Sequence, residues 1–179
     1  MDKILISIDD LVRYRPTSKS IPLDRIQPYI RETQQQDLLP LLGDTLYYDF
    51  LTNFDNSSSP MYQSYQYLLY GRVYTPAGLS SNISYEGIIP MISYYTLARY
   101  YENSQVNATS YGLVQKSNEY STSVSAQVVQ ASTDYLRSLG LSYQHEVKRF
   151  LSNYSTTYTL YSTGVKGLTQ DIGVKFFSI

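Results

Sequence analysis

The sequence predicts a mainly α protein: a helical bundle of four to five helices with a long C-terminal helix and short β arms at the termini. Three observations predict it. Apolar residues hold a spacing of three and four from Leu23 to Tyr154, the period of helices with one buried face. The segment "EGIIPMISYYTLARYYENS", which starts at Glu86, is apolar nearly all round, as a helix buried on every side must be. After Tyr154 the period is lost, and β-forming residues gather between Gly164, Gly167 and Gly173. A chain of 179 residues can bury one core. The expected division is an N-terminal arm at 1–20, a helical domain at 21–154 and a C-terminal β-rich arm at 155–179.

The N-terminal arm reads as extended. "ILISI" has the composition of a short strand, and Asp9-Asp10 can open a helical turn through Tyr14 that Pro16 stops. Ser20 is the expected N-cap of a first helix over Leu23–Leu38, with Pro22 close behind. Leu23, Ile26, Ile30 and Thr33 share one face of it. Pro28 falls near its first turn, where a missing N–H costs least. Pro40 is expected to end that helix, with Gly43 as the corner.

A second helix is expected over Asp44–Phe54, where Leu46, Phe50 and Phe54 lie one turn apart. "DNSSSP" is a loop of turn formers. A third helix follows over Met61–Tyr70, and "GRVYTPAGLSSN" reads as another loop. The fourth helix carries Ile88, Met91, Ile92, Tyr95, Ala98 and Tyr101 on one stripe, and Ile89, Tyr94, Leu97 and Tyr100 cover much of the rest. It is a central core helix, or one clamped between its own domain and a neighbour. "VNATSYGLVQKSNEYSTS" has no helical period, and its Tyr111-Gly-Leu-Val is a strand or a packed loop. The long helix spans Ser123–Tyr154, with Gly140 a place to kink or split it. The tail, through Phe176, Phe177 and Ile179, reads as a hairpin or arm whose apolar end needs covering.

Composition narrows the function. Charged residues are 16% of the chain and the net charge is -1, so no basic field attracts nucleic acid. The absence of Cys excludes a disulfide framework and Cys-based metal sites. "MDKILISIDDLVRYRP" is too short and too charged for a signal peptide, and no apolar run reaches membrane-spanning length. A cytoplasmic site of synthesis follows as an expectation. Asn56, Asn82, Asn107 and Asn153 head Asn-x-Ser/Thr triplets, which mean nothing without secretion. The 21 Tyr are the odd feature. Interfaces favour Tyr and are depleted in Lys, Glu and Asp, so the composition reads either as a surface covered by other subunits or as a compositional habit of the organism.

Chemistry is sparse. His145 is the one His, and a lone His without Cys gives neither a zinc site nor a triad. Asp9 and Asp10 fit a helix start better than a cation site. No nucleotide-binding glycine loop is present. Glu86, Glu102 and Glu119 are the carboxylates from which a glycosidase pair would have to come. Arg13, Arg15, Lys19 and Arg25 form a mild basic patch that suits salt bridges to a neighbour. No cofactor, metal or catalytic residue is expected.

Two stretches, "YIRETQQQDLLPLLGDTLYYDFL" and "EGIIPMISYYTLARYYENSQVNATSYGLVQKSNEYS", resemble a family of structural proteins from phages of Bacteroides-like bacteria, crAss-like phages among them. Its members look like head–tail connector (adaptor) proteins. The resemblance covers about Ile26 to Ser123; the Leu-Leu-Gly corner and "YGLVQKSNEYS" are its more specific parts. It implies a homo-oligomeric ring, expected as a dodecamer, beneath the portal protein. Further neck or tail proteins would dock on it, DNA would only pass through the lumen, and no membrane is involved. The expected location is the virion neck or tail, and the host cytoplasm during assembly. Candidate interface residues are Tyr94, Tyr100 and Tyr101 on the fourth helix, and Phe176, Phe177 and Ile179 in the tail. The other readings are a tail terminator or lower neck ring protein and, from a different class, a virion-associated carbohydrate-binding or lytic domain.

Overall fold

A computed structural model describes residues 3–15, 21–76, 78–103, 106–109, 112–115 and 125–161. The chain order is α1 (Ile8–Tyr14), α2 (Leu23–Thr33), a π-helical stretch (Gln34–Leu38), α3 (Leu39–Leu42), α4 (Asp44–Asn53), α5 (Tyr62–Tyr70), β1 (Arg72–Tyr74), β2 (Ile83–Tyr85), α6 (Ile89–Asn103), β3 (Val106–Thr109), β4 (Gly112–Gln115) and α7 (Ala126–Asn153). The protein is mainly helical with a long C-terminal helix, and the strands among the described residues form two separate antiparallel hairpins.

α6 is the axis of the fold. Every residue from Ile88 to Ala98 is buried, because α7, α2, α1 and the π-helical stretch all pack around it. Enclosing its apolar surface takes that surface out of water, which favours the packed state, and Ser93 and Thr96 are buried along with it. α7 lies along α6, and Gly140 sets their approach. A Cβ built there would meet the Tyr95 ring at 2.8 Å. Gly140 does not split α7, which runs unbroken for 28 residues. The glycine is a packing notch, not a hinge.

The first helix does not stop at Pro40. The chain stays helical to Leu42, and Gly43 at φ 77° turns it into α4. The ring of Pro40 would clash with the carbonyl four residues back in a regular α-helix. The preceding π-helical stretch widens the turn there, with the Leu39 N–H bonded to the Gln34 carbonyl. It also presents the Gln34 side chain, buried at 3% exposure, to the N-terminal segment. Its amide accepts from the Leu5 N–H at 2.9 Å and donates to the Lys3 carbonyl at 2.9 Å.

Residues 3–7 are thus extended, as "ILISI" suggests, but their partner is a side chain, not a strand. They lie against the core with Leu5 and Ile6 buried. Ser7 caps α1 in a capping box with Asp10, so residues 3–15 are integral to the bundle. Pro22 occupies the cap position of α2; Ser20 lies outside the described residues.

The segment that reads as a loop after α5 holds the β1–β2 hairpin, in the register Arg72↔Tyr85, Val73↔Ser84, Tyr74↔Ile83. Two glycines fix its base. Gly71 and Gly87 have φ of 89° and 83°, and a Cβ at either would come within 2.0 and 2.1 Å of the Tyr85 and Leu69 carbonyl oxygens. β3 and β4 form the second hairpin within the stretch that lacks helical period.

Seven tyrosines, 47, 65, 74, 85, 94, 95 and 158, are buried within this one chain. Rings run in continuous contact from Phe54 through Phe50, Tyr65 and Tyr158 to Phe150, where Tyr74, Tyr85 and Tyr154 join. Their hydroxyls find partners as buried phenols require: Tyr85 donates to the Leu68 carbonyl, Tyr158 to the Ser64 carbonyl and Tyr65 to Asp49. Among the described residues, seven of the chain's 21 tyrosines are therefore core, not interface. The start of the tail, 155–161, is turns that seat Tyr158 in this network; the rest of the expected β-rich arm lies outside the described residues.

Candidate interaction surface

Among the described residues no group of three His, Asp or Glu could hold a metal ion. Asp10 is committed to the α1 cap. Glu86 precedes α6 and Glu102 lies in its last turn, so most of the helix separates them, about 20 Å along its axis. A glycosidase pair stands within about 10 Å, so these two do not form one; Glu119 lies outside the described residues. His145 is exposed on α7.

The sequence-predicted interface residues separate. Tyr94 is 9% exposed. It is enclosed between Tyr14 and Tyr143 at ring distances of 6.0 and 5.7 Å, and its hydroxyl donates to the Tyr14 carbonyl. Its surroundings are its own chain. Tyr100 and Tyr101 are half-buried near the end of α6, with Tyr100 edge-on to Tyr29 at 5.9 Å. Phe176, Phe177 and Ile179 lie outside the described residues.

Besides Leu23, Tyr48 and Leu160, the exposed large apolar side chains of the described residues lie in three places. Tyr70, Val73 and Leu79 stand on the end of α5 and the β1–β2 hairpin, at 61, 59 and 58% exposure. Val128 and Tyr135 are exposed on one flank of α7, where the Arg15 guanidinium lies over the Tyr135 ring. Leu141 is exposed on the opposite flank. There it lines an open cleft of about 510 Å³ with Asp37, Tyr95, Arg99, Arg137 and Ser138. The three-and-four period of the sequence takes in Val128 and Tyr135, which the structure leaves uncovered because they lie off the face that α7 turns to α6.

The cleft's charges are paired. Arg99 binds Asp37 at 2.6 Å and also reaches Thr33 and Gln36. Arg137 binds Glu102 at 2.7 Å. Tyr95 forms one wall, with its hydroxyl on Gln144 at 2.9 Å. Burial raises the Tyr95 pKa, and the Asp37 carboxylate adds to the rise. On the other flank burial, then the Glu86 carboxylate, push Tyr143 up to about 12. These phenols stay protonated at neutral pH, as structural groups do.

The hairpin and the α7 flanks are held apart on one rigid element. Tyr74 of the hairpin packs on Phe150 and Tyr154, near the C-terminus of α7. Val128 lies 22 residues before Phe150 in the same helix, about 33 Å away along the axis. α7 thus carries exposed apolar groups toward both of its ends.

No helix among the described residues is long and apolar enough to cross a membrane. The model of a family of unknown function, DUF6712, matches residues 38–168. No curated protein and no solved structure matches the chain. The match spans well over half of the 179 residues, and the chain belongs to that family. Its boundary falls inside the helix that runs from α2 to α3, so α1 and α2, which cover α6 here, lie outside the family's matched region.

Proposed function

We propose that this DUF6712 member is a structural virion protein. It forms a head–tail connector ring beneath the portal, a conduit for DNA and a docking platform for the tail. The carrying observation is the pair of dissimilar apolar faces, one on the β1–β2 hairpin and one on α7, fixed on a single rigid bundle. Repeated head to tail, they close a ring if the rotation per subunit allows. The resemblance of the Leu-Leu-Gly corner and "YGLVQKSNEYS" to phage connector proteins supports the same reading. So does a net charge of -1, since a lumen that lets DNA slide should not bind phosphates tightly. The ring subunit acts as packing, not as a catalyst. Co-expression with the portal protein tests this. The expected product is a portal complex carrying a stoichiometric ring of this chain, read by mass analysis. A portal that purifies without it, from cells that make both, overturns the reading.

A further inference from the structure

We infer that Arg72, on the β1–β2 hairpin, takes a carboxylate of a second copy of this chain, a contact that rests on the ring reading above. Gly71 at φ 89° and the register Arg72↔Tyr85 fix the backbone that carries it. Its guanidinium lies over the Tyr67 ring at 4.3 Å and the Tyr154 ring at 5.4 Å, so α5 and the end of α7 both hold it in place. Such stacking orders the side chain before a partner arrives, which lowers the entropy cost of binding.

The charge of Arg72 is left over. Lys3 pairs with Asp55, Arg99 with Asp37 and Arg137 with Glu102, whereas Arg72 makes no ion pair among the described residues. Its hydrogen bond runs from Nε to the Val73 carbonyl at 3.5 Å. Glu86 lines the same open cleft of about 300 Å³, but its carboxylate accepts from the Tyr143 hydroxyl at 3.5 Å. The half-buried guanidinium thus keeps its Nη donors for an anion, in the fork geometry that a carboxylate matches. Exposed Tyr70 and Val73 border it, and Arg with Tyr at an apolar contact is the composition that carries binding energy between proteins. A nucleic-acid strand is held by several cations along its phosphates. One cation beside Glu86 and two apolar side chains favours a protein carboxylate instead.

The chain's own surface offers that carboxylate. Asp134 is the one acidic residue of α7 from Ala126 to Gln144. It is exposed beside Tyr135, which belongs to the α7 face of the ring reading. Its partner within the chain is the uncharged amide of Gln130 at 2.9 Å. The two faces that the ring reading brings together therefore carry one leftover charge each, of opposite sign. Arg15 shares the Tyr135 flank, so the attraction is of this one pair and not of two oppositely charged faces. The pair cannot close within one copy. Tyr74 and Tyr85 hold the hairpin on Phe150, and Asp134 lies sixteen residues from Phe150 along the unbroken α7, about 24 Å.

A carbodiimide joins an amine to a carboxylate in contact with it and does not couple a guanidinium. Arg72→Lys puts an amine at the site. Assembled on the portal and treated, it should yield a peptide around residue 72 joined to one around Asp134, absent from treated wild type. Mixed heavy- and light-isotope copies should show that the joined peptides come from different chains. Arg72→Glu should lower the ring on the portal by about tenfold or more, and adding Asp134→Arg should restore most of it; thermal unfolding checks that each variant folds. Four results overturn the inference: a link within one chain, a link to the portal, rings that form as well with Arg72→Glu as without it, or Arg72→Gln weakening DNA binding while rings form normally. Absence of both the link and the rescue also overturns it. A link to Asp24 or Asp44 of another copy keeps it and removes the α7 face from the ring reading. Linked copies that never join the portal overturn the ring and keep the contact.

Discussion

The side-chain amide of Gln34 stands in for a β-strand beside Leu5, taking its N–H at 2.9 Å and giving an N–H to the Lys3 carbonyl at 2.9 Å. One π-helical stretch, forced where Pro40 would clash in a regular helix, thereby fastens the N-terminus to the bundle. Replacing Gln34 with Ala should cost about 1–3 kcal/mol, because the buried Leu5 N–H loses its acceptor. Urea unfolding should show the loss, and hydrogen exchange should show the Leu5 amide exchanging faster than those of α6. An unchanged Leu5 amide would mean that the clamp does not hold.

Gly140→Ala sets two effects against each other. In an open helix the change stabilises by about 0.5–1 kcal/mol. Here the new methyl would lie 2.8 Å from the ring of Tyr95, whose hydroxyl is held by Gln144. Overpacking costs about 1–3 kcal/mol and should win. Adding Gln144→Ala frees the ring and should recover part of the loss. A stabilised Gly140→Ala protein would show that α6 and α7 are not in close contact at this notch.

Gly71→Ala and Gly87→Ala should each destabilise by more than about 3 kcal/mol, since each combines a left-handed backbone with overlap onto a neighbouring carbonyl. Gly78→Ala is the comparison. It shares the positive φ of 82° but has open space around it, so it should cost only about 1 kcal/mol. Thermal unfolding of the three variants separates backbone strain from overlap.

Alkali should unfold the protein in a defined window. Burial holds the phenols of Tyr65, Tyr85 and Tyr158 above their usual range in the folded state. A raised folded pKa means that the unfolded chain releases these protons first. Stability is therefore complete below about pH 10 and falls above it, by at most about 1.4 kcal/mol per pH unit for each group. Urea unfolding across that range measures the slope. Tyr85→Phe should flatten it. A slope unaffected by that change would contradict the assignment of Tyr85 to the closed core.

Much of this fold was legible in the sequence. The encircling apolar pattern of Ile88–Ala98 named the central helix, and the three-and-four period that runs to Tyr154 named the long one, although that period also takes in Val128 and Tyr135, which the structure leaves exposed. The β1–β2 hairpin was not legible. Its strands are three residues each, too short for alternation, and its base depends on glycine geometry that composition does not reveal. The π-helical stretch was hidden for a similar reason: Pro40 reads as a stop unless the turn before it is known to widen. The Tyr signal misled in part, since Tyr65, Tyr85 and Tyr158 serve the core and hydrogen-bond back to it. The exposed Leu79 and Leu141 carried no signal at all, because exposure is a property of the packed chain.

The ring itself is most directly tested by cryo-electron microscopy of the virion neck, or of portal purified with this chain. The expected map shows a single layer of identical subunits directly beneath the portal, each fitted by the α6–α7 pair. A neck with no density matching the α6–α7 pair would contradict it.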